Sequence, residues 1–358
     1  MIGLINPLPK RKWQRLVSFF VVILLNFSFI DVFVTLTISN SDGWTNWKMI
    51  LGYFATKSLL LLSWYSMFFR KKNILHLLQK IELMTTPMMK HKINACFMFA
   101  AFLYFICFPI VTTASMNREY LDVYSQYFMY RLDIENIVFK CICYAVKMLL
   151  HFNFIQFCNS VILLLYLTVC HYVTASLEKF KDDIVSMPPE EFLKEQPGLS
   201  ERYSKIIAVL QDTQQTFSLT SFLQCLGFIA SSFSTLSFLL LYPEGVSTPV
   251  LFESIFILVT ASFSIISIFY IGGRIPIKMV EVRNAFHAKC ATIPPGRYGP
   301  YIRFEFFALS KFVDLPGMVL SGCDILYYTK ENIFSAMGSF ITYSLLLLQF
   351  NSQTLSNK

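Results

Sequence analysis

Tyr144, Lys147 and His151 are spaced at i, i+3 and i+7, so a helix would present a phenol, an ammonium and an imidazole on one face. All three lie in an otherwise apolar stretch. Ionisable groups are expensive to keep in apolar surroundings, and where they persist they mark sites that bind or conduct. Such a face suits a small-molecule pocket. It also admits a plainer reading, in which Lys147 reaches a polar interface or pairs with Asp31. Lys57 stands in a second apolar run and poses the same choice. Tyr53, Tyr104, Phe108, Ser231, Ser234 and Thr235 would add an aromatic-walled cavity with a few hydroxyls. Each of these aromatics could equally serve packing, since the chain has 37 Phe and 18 Tyr.

Enzyme chemistry has no comparable foothold. The sequence has no GxGxxG, Walker loop, HExxH or GxSxG. His76, His91, His151, His171 and His287 are scattered, with no metal-site or triad spacing. The nine cysteines form no CxxC pair, and Cys141-x-Cys143 has the wrong spacing for zinc. They read as small buried hydrophobes. No enzyme activity, cofactor or metal is expected.

The elements that would position these groups follow from composition. Of 358 residues, 55% are hydrophobic and only 15% charged. Soluble domains average about 25% charge, so the chain reads as an all-α integral membrane protein. A hydrocarbon core of about 30 Å takes roughly 20 apolar helical residues. Runs of that kind occur near Leu16–Ile38, Met49–Phe69, Ile93–Thr113, Phe139–Thr168, Phe217–Tyr242, Leu251–Ile271 and Ile333–Phe350. Seven transmembrane helices are expected. The first run follows Lys10, Arg11, Lys12 and Arg15, but it is too long for a signal-peptide core and has no small-residue cleavage site, so it reads as a retained span.

The net charge of +8 sorts by loop. Lys and Arg concentrate before the first run, between the second and third (Arg70, Lys71, Lys72, Lys80, Lys90, Lys92), between the fourth and fifth (Lys179, Lys181, Lys194, Arg202, Lys205) and between the sixth and seventh (Arg274, Lys278, Arg283, Lys289, Arg297, Arg303, Lys311). By the positive-inside rule those loops and the N-terminus are cytoplasmic, and seven crossings leave the C-terminus extracellular. The charge therefore describes loops beside membrane lipid, and no nucleic-acid partner is expected. The flanks Leu177–Val185 and Tyr203–Thr216 read as helical continuations of spans four and five. Ile302–Val313 reads as an amphipathic helix leading into the last span. The lone sequon at Asn26 lies inside the first span and should carry no glycan.

The last span has a stripe. On a helical wheel Ser335, Ser339, Thr342 and Gln349 fall within roughly 80°, with Gly338 beside them and Leu346 on the same line. Close helix packing through small residues is one reading. The other is a wall of a water-filled pore, constricted at Leu346. One helix cannot enclose a pore, so this second reading demands an oligomer.

The stripe ends in Thr342-Tyr343-Ser344-Leu345-Leu346-Leu347-Leu348-Gln349-Phe350, which resembles the TYhhhhhQF signature of insect gustatory receptors (h, hydrophobic). Gly322-Cys323-Asp324-Ile325-Leu326 and Asn332-Ile333-Phe334 are similar to that family's run-in. Ser344 stands where the sugar-receptor branch carries Glu. The resemblance implies a homo- or heterotetrameric, ligand-gated, non-selective cation channel. Each subunit would lend its seventh helix to a central pore, with Gln349 and Phe350 at the extracellular gate. It divides the chain into a six-span ligand-binding bundle with cytoplasmic loops (1–271) and a cytoplasmic anchor helix with the pore-lining span (272–358). It further implies a small-molecule tastant, bitter or otherwise non-sugar, and a place in the plasma membrane of gustatory receptor neurons. An odorant-receptor-type channel shares the inverted plan, but the intact motif speaks for the taste branch. A G-protein-coupled receptor would need an external N-terminus. A secondary transporter would use Lys147 with Asp31 as its coupling site.

Overall fold

Long apolar helices and their polar extensions make up the architecture. The computed structural model describes residues 12–39, 47–82, 95, 98–99, 101–107, 129–130, 135–241, 248–292 and 318–356. In chain order these form α1 (Lys12–Ser39), α2 (Trp47–Phe69), α3 (Lys71–Glu82), a π-helical turn at Leu103–Cys107, and α4 (Ile137–Met148). A π-helical segment (Leu149–Phe154) joins α4 to α5 (Ile155–Ser186). Then come α6 (Pro189–Lys194), α7 (Gln196–Leu241), α8 (Thr248–Gly272), α9 (Arg274–Ala291), the two-residue strands β1 (Ser321–Gly322) and β2 (Leu326–Tyr327), and α10 (Glu331–Ser356).

Among the described residues, four helices are long and apolar enough to cross a bilayer: those holding Leu16–Thr35, Ile155–Ser186, Gln196–Leu240 and Leu251–Ala291. The second and seventh expected spans fall on α2 and α10, of 23 and 26 residues. Most of the expected third span, including Phe108, lies outside the described residues, as does the amphipathic stretch Ile302–Val313. The flanks of spans four and five are helical extensions of α5 and α7. At 46 residues α7 is roughly 70 Å long, about twice the hydrocarbon core.

A large buried cluster runs through the bundle. Leu60, Trp64 and Met67 of α2 pack with Ile162, Tyr166 and Val169 of α5, Cys225 and Phe228 of α7, and Ile265 and Phe269 of α8. Beyond the apolar spans it continues through Phe180, Phe192, Tyr203 and Phe286, with Phe180 stacked on Tyr203 at 5.5 Å. Lys278 of α9 ties this end together, reaching Glu178 of α5 at 3.0 Å and Glu281 at 2.9 Å.

Polar bonds cross between helices inside the apolar zone, where no water competes for them. Asn159 Nδ2 donates to Leu60 O at 3.1 Å, and Gln224 Nε2 donates to Asn159 O at 2.9 Å. Asn26, the sequon residue, donates its amide to Tyr65 Oη at 2.6 Å. The π-helical segment widens the helix and disturbs its i→i−4 ladder. There Leu150 O accepts a hydrogen bond from Ser28 Oγ of α1.

A hairpin precedes the last helix. Ser321 pairs with Tyr327 and Gly322 with Leu326, antiparallel. Cys323 and Asp324 both take positive φ, 54° and 56°, as in type I′ turns. Asp324 Oδ1 accepts from Ser321 Oγ at 2.7 Å, which braces the turn. α7 holds the hairpin from the side. Gln214 accepts from Ser321 N and donates to Ser321 Oγ, Ser218 Oγ accepts from Cys323 N, and Tyr328 Oη donates to Ser221 Oγ. A Cβ on Gly322 would sit 2.6 Å from Tyr328 Oη and 2.8 Å from Phe222 Cβ, so only glycine fits this approach.

Candidate functional site

A cavity of about 40 Å³ opens between four helices and the π-helical turn. α2 contributes Tyr53, Thr56 and Lys57, and α7 contributes Ser231, Ser234 and Thr235. Both sets follow the i, i+3, i+4 spacing of one helix face. Gln156 of α5, Phe256 and Ile257 of α8 and Tyr104 complete the wall. A water needs about 10–15 Å³ on this measure, so the space holds roughly three.

The π-helical turn carries Tyr104 into the wall. Its ring meets Phe256 edge-on at 5.6 Å and Phe157 at 6.1 Å, while its hydroxyl lies 3.0 Å from Ser160 Oγ. Gly52 lets α2 and α7 approach: a Cβ there would be 3.3 Å from Ser234 Oγ. Thr56 Oγ1 donates back to Gly52 O at 2.9 Å.

Lys57 is 4% exposed, with Nζ 5.1 Å from the centre of the Tyr53 ring. Glu253 of α8, a half-buried residue, lies close enough for its charge to be felt at Lys57. Glu253 is not among the residues expected at a ligand site, although the sequence carries a signal for it: it is the one charged residue in the run Leu251–Ile271.

Of the expected ligand-site residues, Tyr53, Lys57, Tyr104 and Ser234 line this cavity together. Lys147 lies apart. Its ammonium pairs with the Asp31 carboxylate, donates to Tyr130 Oη at 2.6 Å and covers the Tyr130 ring at 4.0 Å. Asp31 is almost fully buried, so the pair joins α1 to α4 rather than lining the cavity. Tyr144 is buried in α4. His151 falls in the π-helical segment, its side chain outside the described set.

α10 starts where the hairpin ends. The Glu331 carboxyl in its first turn is held below its usual range by its own backbone N–H and by the Thr329 hydroxyl. Among the described residues, the helix rests on α7 and α8. Phe340 and Tyr343 close on Phe233 at 4.6 Å and 4.5 Å, and Tyr343 Oη lies 2.8 Å from Ser237 Oγ. Ser335, Ser339, Thr342, Leu346 and Gln349 are all exposed. Among the described residues, nothing approaches within 4 Å of where a Gly338 Cβ would sit. Ser339 and Thr342 return their hydroxyls to Ser335 O and Gly338 O at 3.0 Å and 2.9 Å. Phe334, Met337, Ile341 and Leu345 are exposed as well. The Phe350 side chain lies outside the described residues.

α7 therefore faces two ways within two turns. Ser231, Ser234 and Thr235 line the cavity, while Phe233 and Ser237 hold the last helix.

The fold is similar to that of the insect olfactory receptor OR5 from Machilis hrabei in complex with eugenol, with a TM-score of 0.68 at 13% identity over 95% of this chain and 91% of that one. A second structure of the same receptor matches with a TM-score of 0.65, again at 13% identity, over 95% and 90%. At this identity the likeness is one of fold. No protein-family model matches the chain, and no curated protein matches it in sequence.

Proposed function

We propose that this chain is a subunit of a chemosensory, ligand-gated, non-selective cation channel in the plasma membrane, opened by a small tastant and assembled as a homo- or heterotetramer. In this reading seven spans cross the membrane from a cytoplasmic N-terminus to an extracellular C-terminus. Residues 1–271 form the ligand-binding bundle, and residues 272–358 form the anchor and pore segment.

The observation that carries the proposal is the last helix. A helix with hydroxyls and an amide along one exposed line, and large apolar side chains on neighbouring exposed faces, is incomplete as a monomer. Four copies around an axis would turn Ser335, Ser339 and Thr342 toward permeating cations. Leu346, Gln349 and Phe350 would make the constriction at the outer end. The remaining exposed apolar residues would meet neighbouring subunits and lipid. The fold likeness to an insect olfactory receptor over 95% of the chain supports a chemosensory role, and the Thr342–Phe350 signature favours taste.

The proposed mechanism starts at the cavity. Its volume in this state is far below that of a drug-sized ligand, so a ligand must favour a conformation with its walls further apart. That differential affinity shifts the population toward the wider state. Outward movement of Ser234 carries Phe233 and Ser237 with it, and through Tyr343 displaces α10 and its gate. Whole-cell recording after expression, with bitter compounds, sugars and volatile phenols such as eugenol, tests this. Ligand-evoked cation current is expected. No current from protein confirmed at the cell surface overturns it.

The fold neighbours favour a second reading, an odorant-type channel. Activation by volatiles alone, with no response to non-volatile bitter compounds, would select it. An N-terminal epitope accessible in intact cells would instead revive a G-protein-coupled receptor.

A further inference from the structure

We infer that Arg70, Lys71 and Lys72, at the junction of α2 and α3, form a site for an inner-leaflet phospholipid whose headgroup carries phosphate monoesters. This inference rests on the orientation proposed for the channel, which puts the end of α2 at the cytoplasmic face.

α2 closes on Phe68 and Phe69, and Phe69 is 78% exposed. Apolar surface left bare at the end of a span meets acyl chains at lower cost than water. Three cations follow at once. Lys71 and Lys72 are exposed in the first turn of α3, which holds no acidic residue. Lys71 Nζ lies 5.1 Å from the centre of the Phe68 ring, so its charge stays beside the end of the span. Arg70 Nη1 donates to Gln215 O at 2.6 Å and to Thr216 O at 3.1 Å on α7, which fixes the guanidinium. Ile74, Leu77 and Ile81 bury the other face of α3 in the bundle.

Other cations of the proposed cytoplasmic side are matched by carboxylates. Lys80 pairs with Asp212, Lys181 with Glu281, Arg202 with Asp183, Lys205 with Glu201 and Lys278 with Glu178. Among the described residues, Arg70, Lys71 and Lys72 have no such partner. Basic side chains clustered just inside a span attract anionic headgroups. One phosphate monoester carries about −1.5 to −2 at pH 7, so a headgroup with two balances the cluster, whereas the single net charge of phosphatidylserine does not. Arg70 commits only Nη1 to α7, and Nε with Nη2 forms the fork that suits phosphate. Its two carbonyl partners lie on α7 between Gln214 and Ser218, the residues that hold the hairpin before α10. A bound headgroup therefore braces the start of the last helix.

Native mass spectrometry and thermal shift of the full-length protein in detergent test the site. The probes are dioctanoyl phosphatidylinositol bisphosphate, dioctanoyl phosphatidylserine and soluble inositol trisphosphate. The bisphosphate lipid should bind about tenfold or more tightly than phosphatidylserine, which has no phosphate monoester, and than inositol trisphosphate, which has no acyl chain to meet Phe69. Each Lys beside an anionic headgroup is worth roughly fivefold, so Lys71→Gln with Lys72→Gln should weaken binding of the bisphosphate lipid roughly 25-fold. A lipid-free melting temperature equal to the wild type's shows that this variant is folded. Lys179→Gln with Lys205→Gln removes two exposed cations further from the apolar runs and should leave binding unchanged. Absence of binding, equal affinity for phosphatidylserine or inositol trisphosphate, or undiminished binding by the Lys71 and Lys72 variant overturns the inference and leaves the channel reading intact. Evoked current is recorded from the same protein in bilayers with and without the bisphosphate lipid, using the compounds named above. Binding in the expected order with no current in either bilayer overturns the channel reading and leaves the lipid site intact.

Discussion

Ser237 and Tyr343 meet oxygen to oxygen at 2.8 Å and join the helix that lines the cavity to the helix with the exposed polar stripe. Tyr343 also lays its ring on Phe233, one turn from Ser237. The contact is therefore a hydrogen bond reinforced by aromatic packing, placed between the proposed ligand site and the proposed gate.

Removing that bond from either side should have the same effect. Ser237→Ala and Tyr343→Phe are each expected to shift half-maximal activation by roughly 2–10-fold, the equivalent of about 0.5–1.5 kcal/mol. The double variant should do no more than either single one. A double-mutant cycle on dose–response curves measures this. Fully additive shifts would show that the two residues act independently.

The stripe predicts accessibility. With cysteine at Ser339 or Thr342, a charged thiol reagent should alter current in the open state, because both positions are exposed. With cysteine at Phe340, which packs on Phe233, the reagent should have little effect. Gln349→Ala and Phe350→Ala should raise basal leak. Unchanged currents in both alanine variants would remove these residues from the gate.

The Asp31–Lys147 pair predicts an asymmetry. Lys147→Met breaks an ion pair whose carboxylate is 1% exposed, at a cost of about 3–5 kcal/mol. Asp31→Asn leaves an ammonium that is 15% exposed and has more access to solvent, so its cost should be smaller. Melting of the detergent-solubilised protein should fall further for Lys147→Met. Equal losses would mean that the burial difference has no energetic weight.

Two glycines should respond oppositely to alanine. Gly322→Ala drives a methyl group into Tyr328 and Phe222 and is expected to lower the melting temperature and surface yield markedly. Gly338→Ala meets nothing within 4 Å among the described residues, so subunit folding should be unaffected. A change in conductance or assembly at Gly338 would then report a neighbour from another subunit. Loss of folding in Gly338→Ala would contradict its open surroundings.

Reading along the chain reveals what a bilayer and a helix impose locally. Twenty apolar residues in a row, the Lys and Arg between such runs and the recurrence of Ser335, Ser339 and Thr342 are one-dimensional patterns, because hydrocarbon thickness and the helical turn are constant lengths. The continuation of spans four and five as α5 and α7 was legible for the same reason. The spacing of Tyr144 and Lys147 placed them on one face but could not say what stood opposite. Tertiary structure put Asp31 and Tyr130 there, and it brought Lys57 within the field of Glu253, far along the chain. Left-handed backbone at Cys323 and Asp324 was equally illegible, since nothing in a cysteine announces positive φ and the hairpin takes its hold from Gln214 and Ser218 on another helix. A residue's face follows from its own helix, but the partner across that face depends on how every helix is rotated and tilted against the others, and many side chains settle that together.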